Sequence, residues 1–147
     1  MKKKTTYFLV LFCFFTASAG LIFIAPSANF LSTISVKIEK DKDSEFWRVR
    51  DKKGKNKGTM NVNKKDKIEW QAKGSDMVFT FSKPAKTYFE VEEGQFSDGV
   101  SQKIGRDKKL KLTVKASAPS DTLIYQVYVV SADTFVVGNS PPRVIIK

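Results

Sequence analysis

Histidine and cysteine, which carry most nucleophilic, acid–base and transition-metal chemistry in proteins, are nearly absent from this sequence. There is no histidine, and the single cysteine, Cys13, lies in an apolar run near the N-terminus. Serine triads, thiol–imidazole pairs and zinc sites all require an imidazole or a thiolate. The sequence therefore excludes these sites, and we predict a protein that is not an enzyme, with no metal site and no cofactor.

Carboxylates and thioethers are the reactive groups that remain. One acidic cluster consists of Glu90, Glu92, Glu93 and Asp98. In an extended chain Glu90 and Glu92 share one face, which is compatible with a carboxylate-only hydrolase or a weak calcium site. The segment lacks the regularly spaced acids of a calcium loop, so we predict a solvated acidic rim or simple pairing with nearby lysines. Met60 and Met77 are the thioethers that follow the N-terminal run, and we predict that they pack in the core.

Positive charge is the clearest binding signal. The chain has 26 Lys and Arg against 15 Asp and Glu, a formal net charge of +11. Residues 48–57 concentrate this charge, with only Asp51 opposing it. The candidate anion-binding residues are Arg48, Arg50, Lys52, Lys53, Lys55 and Lys57. A loop this basic attracts phosphates, sulfated or uronic polysaccharides or anionic lipid headgroups, and the alternative interpretation is a solubilising hairpin tip.

The aromatic residues divide into a predicted core and a predicted contact patch. Trp70, Phe79, Phe81 and Tyr125 occupy alternating positions and are assigned to the core. The predicted contact patch consists of Trp47, Tyr88, Phe96 and Phe135. Phe96 and Phe135 lie in predicted loops near Gly and Asp residues. There they would be exposed at one end of the fold or would close that end.

The N-terminal residues have the pattern typical of an export signal. Lys2, Lys3 and Lys4 precede an uncharged, largely apolar stretch, and residues 17–19 (Ala-Ser-Ala) offer a cleavage site. We predict that residues 1–28 are a signal peptide or an uncleaved signal anchor, 29–36 a linker and 37–147 the folded domain. The domain would then be extracytoplasmic, tied to the membrane if the leader is retained. Its partner would be an unknown envelope protein or an anionic polymer, and not a nucleic acid.

Alternation of apolar and polar residues dominates the remainder of the chain. Residues 109–115 alternate strictly, and residues 122–130 form a long β-branched and aromatic run typical of a central strand. Residues 84–88 are predicted to form one helical turn, and residues 93–105 an irregular segment. The pattern predicts an all-β fold, a Greek-key β-sandwich or barrel, behind the hydrophobic leader helix.

Two stretches of this pattern resemble the cupredoxin-like family. Residues 59–70 and 78–81 resemble the family's strand, lysine-rich turn, strand ending in an aromatic residue, polar loop and first ligand strand. Residues 125–130, a loop containing Gly138 and residues 144–146 are similar to its penultimate strand, ligand loop and last strand. The resemblance implies a cupredoxin-like sandwich over residues 37–147.

The electron-carrying members of that family bind one copper ion through two histidines, a cysteine and usually a methionine. By the resemblance, the first histidine would fall near Asp76 or Met77 and the cysteine near Val129 or Val130. The loop at residues 131–139 offers neither an imidazole nor a thioether. Since type 1 copper requires soft thiolate and imidazole donors, the resemblance predicts this fold without its copper site.

These observations leave several functional hypotheses. The leading hypothesis is an exported, non-catalytic binding or structural module of the cell envelope. One alternative is an anionic polysaccharide-binding module that uses the basic segment. Another is a copper-handling or redox accessory protein with a non-standard site, and a carboxylate-only hydrolase is more distant still.

Overall fold

The computed structural model describes residues 31–138 and 140–147, and within them the chain forms eleven strands and one short helix. In chain order the elements are β1 (Thr33–Lys40), β2 (Trp47–Asp51), β3 (Thr59–Val62), β4 (Lys67–Ala72), β5 (Met77–Phe81), α1 (Ala85–Tyr88), β6 (Phe89–Glu90), β7 (Ser101–Ile104), β8 (Lys109–Val114), β9 (Asp121–Val129), β10 (Thr134–Phe135) and β11 (Arg143–Ile146). A single 3₁₀ turn, Val130–Ala132, follows β9.

The strands form two mixed sheets. The first sheet has the order β2–β1–β4–β8–β6, in which β1 runs parallel to β4 and the other pairs are antiparallel. The second has the order β3–β11–β9–β5–β7, in which β3 and β11 are parallel. The short strand β10 pairs with the last residues of β9. The chain is therefore a β-sandwich rather than a closed barrel.

The inward residues of both sheets form one core. Trp70 of the first sheet is fully buried, and its ring centroid lies 6.0 Å from that of Phe79 and 5.8 Å from that of Tyr125, both of the second sheet. Both contacts have the edge-to-face geometry that aromatic rings favour. Burial raises the pKa of Tyr125 far above its ordinary value. Trp70 thus helps to join the two layers, as the sequence predicts for a core aromatic.

The structure confirms the all-β class and corrects two segment assignments. Strand β1 begins at Thr33, and Val36 is 2% exposed, so residues 33–36 belong to the domain and not to a linker. Residues 101–104, predicted to be irregular, form β7 because they pair with β5. The predicted helical turn is confirmed as α1. The predicted leader, residues 1–28, and Cys13 within it lie outside the described residues.

The strand directions define two ends of the sandwich. We call the end formed by residues 41–46, 73–76, 105–108 and 130–133 the apical end. The opposite end, formed by residues 63–66, 82–88 and 115–120, is the basal end, and the chain enters β1 there. Across residues 31–138 and 140–147, no helix combines the length and the apolar character needed to cross a bilayer.

Candidate binding surface

The basic segment is a hairpin whose tip is held by its own hydrogen bonds. Oδ1 of Asp51 accepts the backbone N–H groups of Lys53 and Lys55 at 2.8 and 2.9 Å. These bonds, that from Lys55 first, hold the pKa of Asp51 below its ordinary value. Gly54 turns the chain at φ +76°, a conformation that glycine adopts without strain. The tip is therefore an ordered loop that presents the exposed side chains of Lys52, Lys53 and Lys55.

Both arginines of the predicted anion-binding set are committed to Asp41. Nε of Arg48 lies 3.0 Å from Oδ2 of Asp41, and Nη2 of Arg50 lies 2.9 Å from Oδ1. Arg50 also lies 3.8 Å from Glu39. Burial opposes ionisation of Asp41, but the two guanidinium groups outweigh it and lower its pKa. Arg48 and Arg50 therefore stabilise the β1–β2 hairpin, and Lys57 is half-buried, so the tip lysines carry the accessible charge.

A groove on the outer face of the first sheet extends the positive surface beyond the tip. It has a volume of about 210 Å³, and its basic lining residues are Lys37, Lys52 and Lys109. Ser35 and Gln71 supply hydrogen-bonding groups, and Glu69 forms an ion pair with Lys109 at 3.0 Å. The sequence marks Lys37 and Lys109 as outward residues of alternating strands. The sequence does not show that β1, β4 and β8 lie side by side. This arrangement brings Lys37 and Lys109 close to the tip.

The predicted contact patch does not exist as one surface. Trp47, Tyr88 and Phe96 are only 7%, 5% and 1% exposed. Phe96 packs against Phe81 at 5.7 Å between ring centroids, because a backbone φ of +50° turns its side chain into the sandwich. Phe135 alone is exposed, at 53%, and stacks edge-on against Tyr128. The prediction is wrong for Trp47, Tyr88 and Phe96, which close the fold rather than contact a partner.

Tyr88 instead contributes to a polar junction at the basal end. Its hydroxyl donates to Oδ2 of Asp121 at 2.6 Å, and Nζ of Lys83 lies 2.6 Å from the same oxygen. The backbone N–H of Thr122 donates to Oδ1 at 2.7 Å. These bonds, that from Lys83 first, lower the pKa of Asp121 to about 2. The junction joins the start of β9 to the β5–α1 connection.

The acidic cluster borders a second, mixed-charge cleft. Glu90 and Glu92 are exposed and line a depression of about 370 Å³ together with Lys67 and Lys111. Asp98 is directed elsewhere, since its Oδ1 accepts the backbone N–H groups of Val100 and Ser101. Among the described residues, no three metal-ligating side chains of the His, Cys, Asp and Glu types come together. This arrangement matches the solvated rim predicted from the sequence.

The two methionines occupy separate parts of the core. Met60 and Met77 are both fully buried, which confirms their assignment to the core. Met60 lies on β3 and Met77 on β5, and the strands β11 and β9 run between them. With strands about 4.8 Å apart, three strand spacings alone separate the two side chains by at least about 14 Å. They are therefore too far apart to share a metal ion.

The positions that the resemblance aligns with copper ligands do lie together at the apical end. Met77 pairs with Val129, and the backbone N–H of Val130 donates to the carbonyl oxygen of Asp76 at 3.0 Å. Met77 and Val129 are fully buried. The carboxylate of Asp76 accepts the Arg106 backbone N–H at 2.8 Å, and this bond, ahead of other contacts, lowers the pKa of Asp76. These positions thus hold a carboxylate that fixes a loop, one buried thioether and two aliphatic side chains.

No family model matches the chain, and no curated protein matches it. Among solved structures, the chain is similar to two mutants of amicyanin with Cu(I), each at 12% identity and a TM-score of 0.41, covering 78% of this chain and 82% of theirs. It is also similar to copper nitrite reductase from Nitrosomonas europaea, at 14% identity and a TM-score of 0.42, covering 78% of this chain and 41% of that one. Values this low assign neither a family nor an activity to the chain.

Proposed function

We propose that this chain is an exported, non-catalytic binding module of the cell envelope, built on a cupredoxin-like sandwich without a type 1 copper site. Its ligand is an anionic polymer that lies along the outer face of the first sheet. The observation that carries the proposal is the groove in which Lys37, Lys52 and Lys109 converge beside the ordered hairpin tip.

The electrostatics of this face favour a polyanion over a neutral ligand. Lys52, Lys53 and Lys55 are exposed, and Asp51, the carboxylate nearest in sequence, is occupied by backbone N–H groups. Because the tip is ordered before binding, little loop entropy is lost when a polymer docks. The groove also supplies a hydroxyl and an amide, from Ser35 and Gln71, which suit the hydroxyl and carboxylate groups of a uronic or sulfated sugar.

The proposal includes no copper chemistry because the side chains at the aligned positions do not suit type 1 copper. The sequence contains no histidine. Asp76, Met77, Val129 and Val130 offer one carboxylate, one buried thioether and two aliphatic side chains, which do not fit the soft thiolate and imidazole set of type 1 copper. Stoichiometric uptake of copper(I) or copper(II) by the purified chain would contradict this part of the proposal.

The proposal is tested by measuring binding to polygalacturonate and dextran sulfate, with neutral dextran as the reference, over a range of salt concentrations. Affinity for the two polyanions should fall steeply as the salt concentration rises, because each contact between a lysine and a carboxylate or sulfate group releases a counterion. The variant Lys52→Gln/Lys53→Gln/Lys55→Gln should reduce the slope of log affinity against log salt by about 2.

A variant of equal charge change provides the matched control. Lys42→Gln/Lys73→Gln/Lys108→Gln removes three positive charges at the apical end from residues that do not line the groove, and should leave the slope nearly unchanged. An equal loss in both variants would indicate a response to net charge rather than a site. Salt-insensitive binding, or no binding to either polyanion, would remove the polymer and leave an envelope protein as the partner.

A further inference from the structure

The point at which the chain enters the domain is fixed at the basal end. The backbone N–H of Ser32 donates to Oδ1 of Asp66 at 2.8 Å, and its carbonyl oxygen accepts the N–H of Lys67 at 2.8 Å. Asp66 is 3% exposed, and its Oδ2 accepts the N–H of Asn63 at 2.8 Å. Ser32 is therefore anchored to the turn between β3 and β4 by both of its backbone groups.

Lysines of three basal segments lie on the β4 and β8 side of this entry point. We call Lys64, Lys65, Lys86 and Lys115 the basal lysines. They belong to one continuous surface because the N–H of Lys65 donates to the carbonyl of Val114, and Nζ of Lys115 donates to the carbonyl of Lys86. None of the four forms a salt bridge within residues 31–138 and 140–147.

Two carboxylates at this end, Asp66 and Asp121, are already committed to other groups. Asp66 binds backbone N–H groups, and Asp121 binds Lys83 and Tyr88. The acidic loop at residues 91–100 joins β6 to β7, the strands at one lateral edge of the two sheets. The end of this loop is hydrogen bonded to the basal end, since Gly99 and Val100 accept the N–H groups of Ala85 and Phe81, so Lys86 and Lys115 are nearer to it than Lys64 and Lys65 are. Strands β4 and β8 separate the loop from β1, where the chain enters, so the surface at Lys64 and Lys65 beside the entry is positive.

The length of chain between the leader and the entry point is short. The uncharged stretch runs from Thr5 to Val36, and the predicted leader ends at Ala28. Ser32 is fixed, so only residues 29–31 are left to span the gap, and three residues reach at most about 11 Å. This is close to the Debye length of about 8–10 Å at physiological salt. A membrane anchor at residues 1–28 would thus hold the basal lysines within electrostatic reach of the bilayer.

We propose that the basal end lies on the membrane surface and that Lys64, Lys65, Lys86 and Lys115 contact the headgroups of anionic lipids. This inference rests on the proposed function only in its assumption that the leader is retained as an anchor. It gives the domain a fixed orientation, with the apical end pointing away from the bilayer. The outer face of the first sheet then stands roughly upright, open to a polymer from the side.

The experiment uses the full chain reconstituted in nanodiscs, either of phosphatidylcholine alone or with about one-third phosphatidylglycerol. In a Cys13→Ser background, Ser117→Cys places a fluorophore at the basal end and Asp43→Cys places one at the apical end. Spin-labelled lipid headgroups quench a fluorophore that is close to them. Quenching at the basal probe should be several-fold greater in the anionic discs, and the excess should disappear at high salt, while the apical probe stays unquenched.

Two variants test the residues. Lys64→Gln/Lys65→Gln/Lys86→Gln/Lys115→Gln should lose the excess quenching, whereas the matched apical variant Lys42→Gln/Lys73→Gln/Arg106→Gln/Lys108→Gln should keep it. If the fourfold basal variant fails to fold, Lys64→Gln/Lys65→Gln alone should lose about half of the excess. Both variants retain the hairpin-tip lysines, so the polymer site is unaffected.

Each contrary result has a distinct meaning. Equal basal quenching in the two kinds of disc, or equal loss in the basal and apical variants, would overturn the membrane contact while leaving the anchor and the polymer site intact. Failure of the chain to co-purify with either disc would overturn the anchor and this inference together. That result would still leave the polymer-binding measurement to decide the proposed function.

Discussion

The outer faces of the two sheets have opposite chemical character although they enclose one core. On the first sheet, register places Glu39 opposite Arg48 and Glu69 opposite Lys111, and the outward positions of β1, β2, β4 and β8 are mostly charged. No aromatic side chain belongs to an outward position of these four strands. The face therefore interacts with its surroundings through ions and hydrogen bonds, and its interactions depend on salt.

The second sheet presents a nearly neutral face. Its long strand β9 exposes Ile124 and Gln126 and leaves Tyr128 half-buried, and Ile145 of β11 lies opposite Thr122. Ile124 is 44% exposed, and Phe135 covers Tyr128 with its ring centroid at 5.4 Å. Since the inward residues of both sheets are equally apolar, folding alone does not require this difference. We infer that the charged face serves binding and that the neutral face does not bind the same class of ligand.

The comparison between the two outer faces assumes that one core supports both sheets. Substitution of Trp70 tests this assumption. Trp70→Ala removes the edge-to-face contacts with Phe79, Phe81 and Tyr125, and should reduce the free energy of unfolding by about 3–5 kcal/mol. Phe135→Ala, an aromatic truncation on the neutral face, should reduce it by less than about 1 kcal/mol. Chemical denaturation followed by circular dichroism measures both. Similar losses in the two variants would mean that the Trp70 contacts do not hold the two layers together.

The sequence is sufficient to predict most of the strands but not their neighbours. Alternation in residues 109–115 and the apolar run of residues 122–130 correspond to β8 and β9, because inward and outward positions are a local property. The pairing of Arg48 and Arg50 with Asp41, and the burial of Phe96 against Phe81, depend on contacts between distant or turning segments. The predicted roles of Arg48 and Arg50 in anion binding, and of Phe96 in an exposed contact patch, are therefore wrong.

The two proposed binding surfaces cannot be predicted from the sequence for the same reason. Lys37, Lys52 and Lys109 converge only because β1 lies between β2 and β4, and β4 lies beside β8. The basal lysines come from three segments separated by up to 51 residues in sequence, between Lys64 and Lys115. The sequence shows that these lysines are outward or in turns, and the topology shows which of them meet.

The next test concerns the polar junction that ties the second sheet to the α1 connection. Asp121 has a pKa of about 2 in the folded chain, against an ordinary value of 3.8, owing first to Lys83 and then to Tyr88 and Thr122. A carboxyl whose pKa is depressed on folding stabilises the fold above its unfolded pKa and loses that contribution as pH falls. Stability should therefore decline between about pH 4 and pH 2.

The variant Asp121→Asn isolates this contribution. It should be less stable than the parent chain near neutral pH, and the difference should shrink as pH falls through the same window. Asp133→Asn, on the neutral face beside Tyr128, is a matched exposed carboxyl. Acid titration of the unfolding free energy in the three chains measures the effect. An unchanged acid response in Asp121→Asn would mean that the junction does not couple ionisation to folding.

The smallest expected changes in stability come from single substitutions on the two outer faces, and their salt dependence distinguishes the charged face from the neutral one. Glu69→Gln removes the charge that faces Lys109 at 3.0 Å, and should reduce stability by about 0.2–1 kcal/mol at low salt, because partly exposed ion pairs are weak. That loss should vanish at high salt, where the pair is screened. Ile124→Thr on the neutral face exchanges one β-branched side chain for another, and should change stability by less than about 0.5 kcal/mol at every salt concentration. Denaturation at low and high salt gives both values. Salt dependence in Ile124→Thr, or none in Glu69→Gln, would remove the electrostatic distinction between the faces, and with it the reason for assigning the polymer to the first sheet.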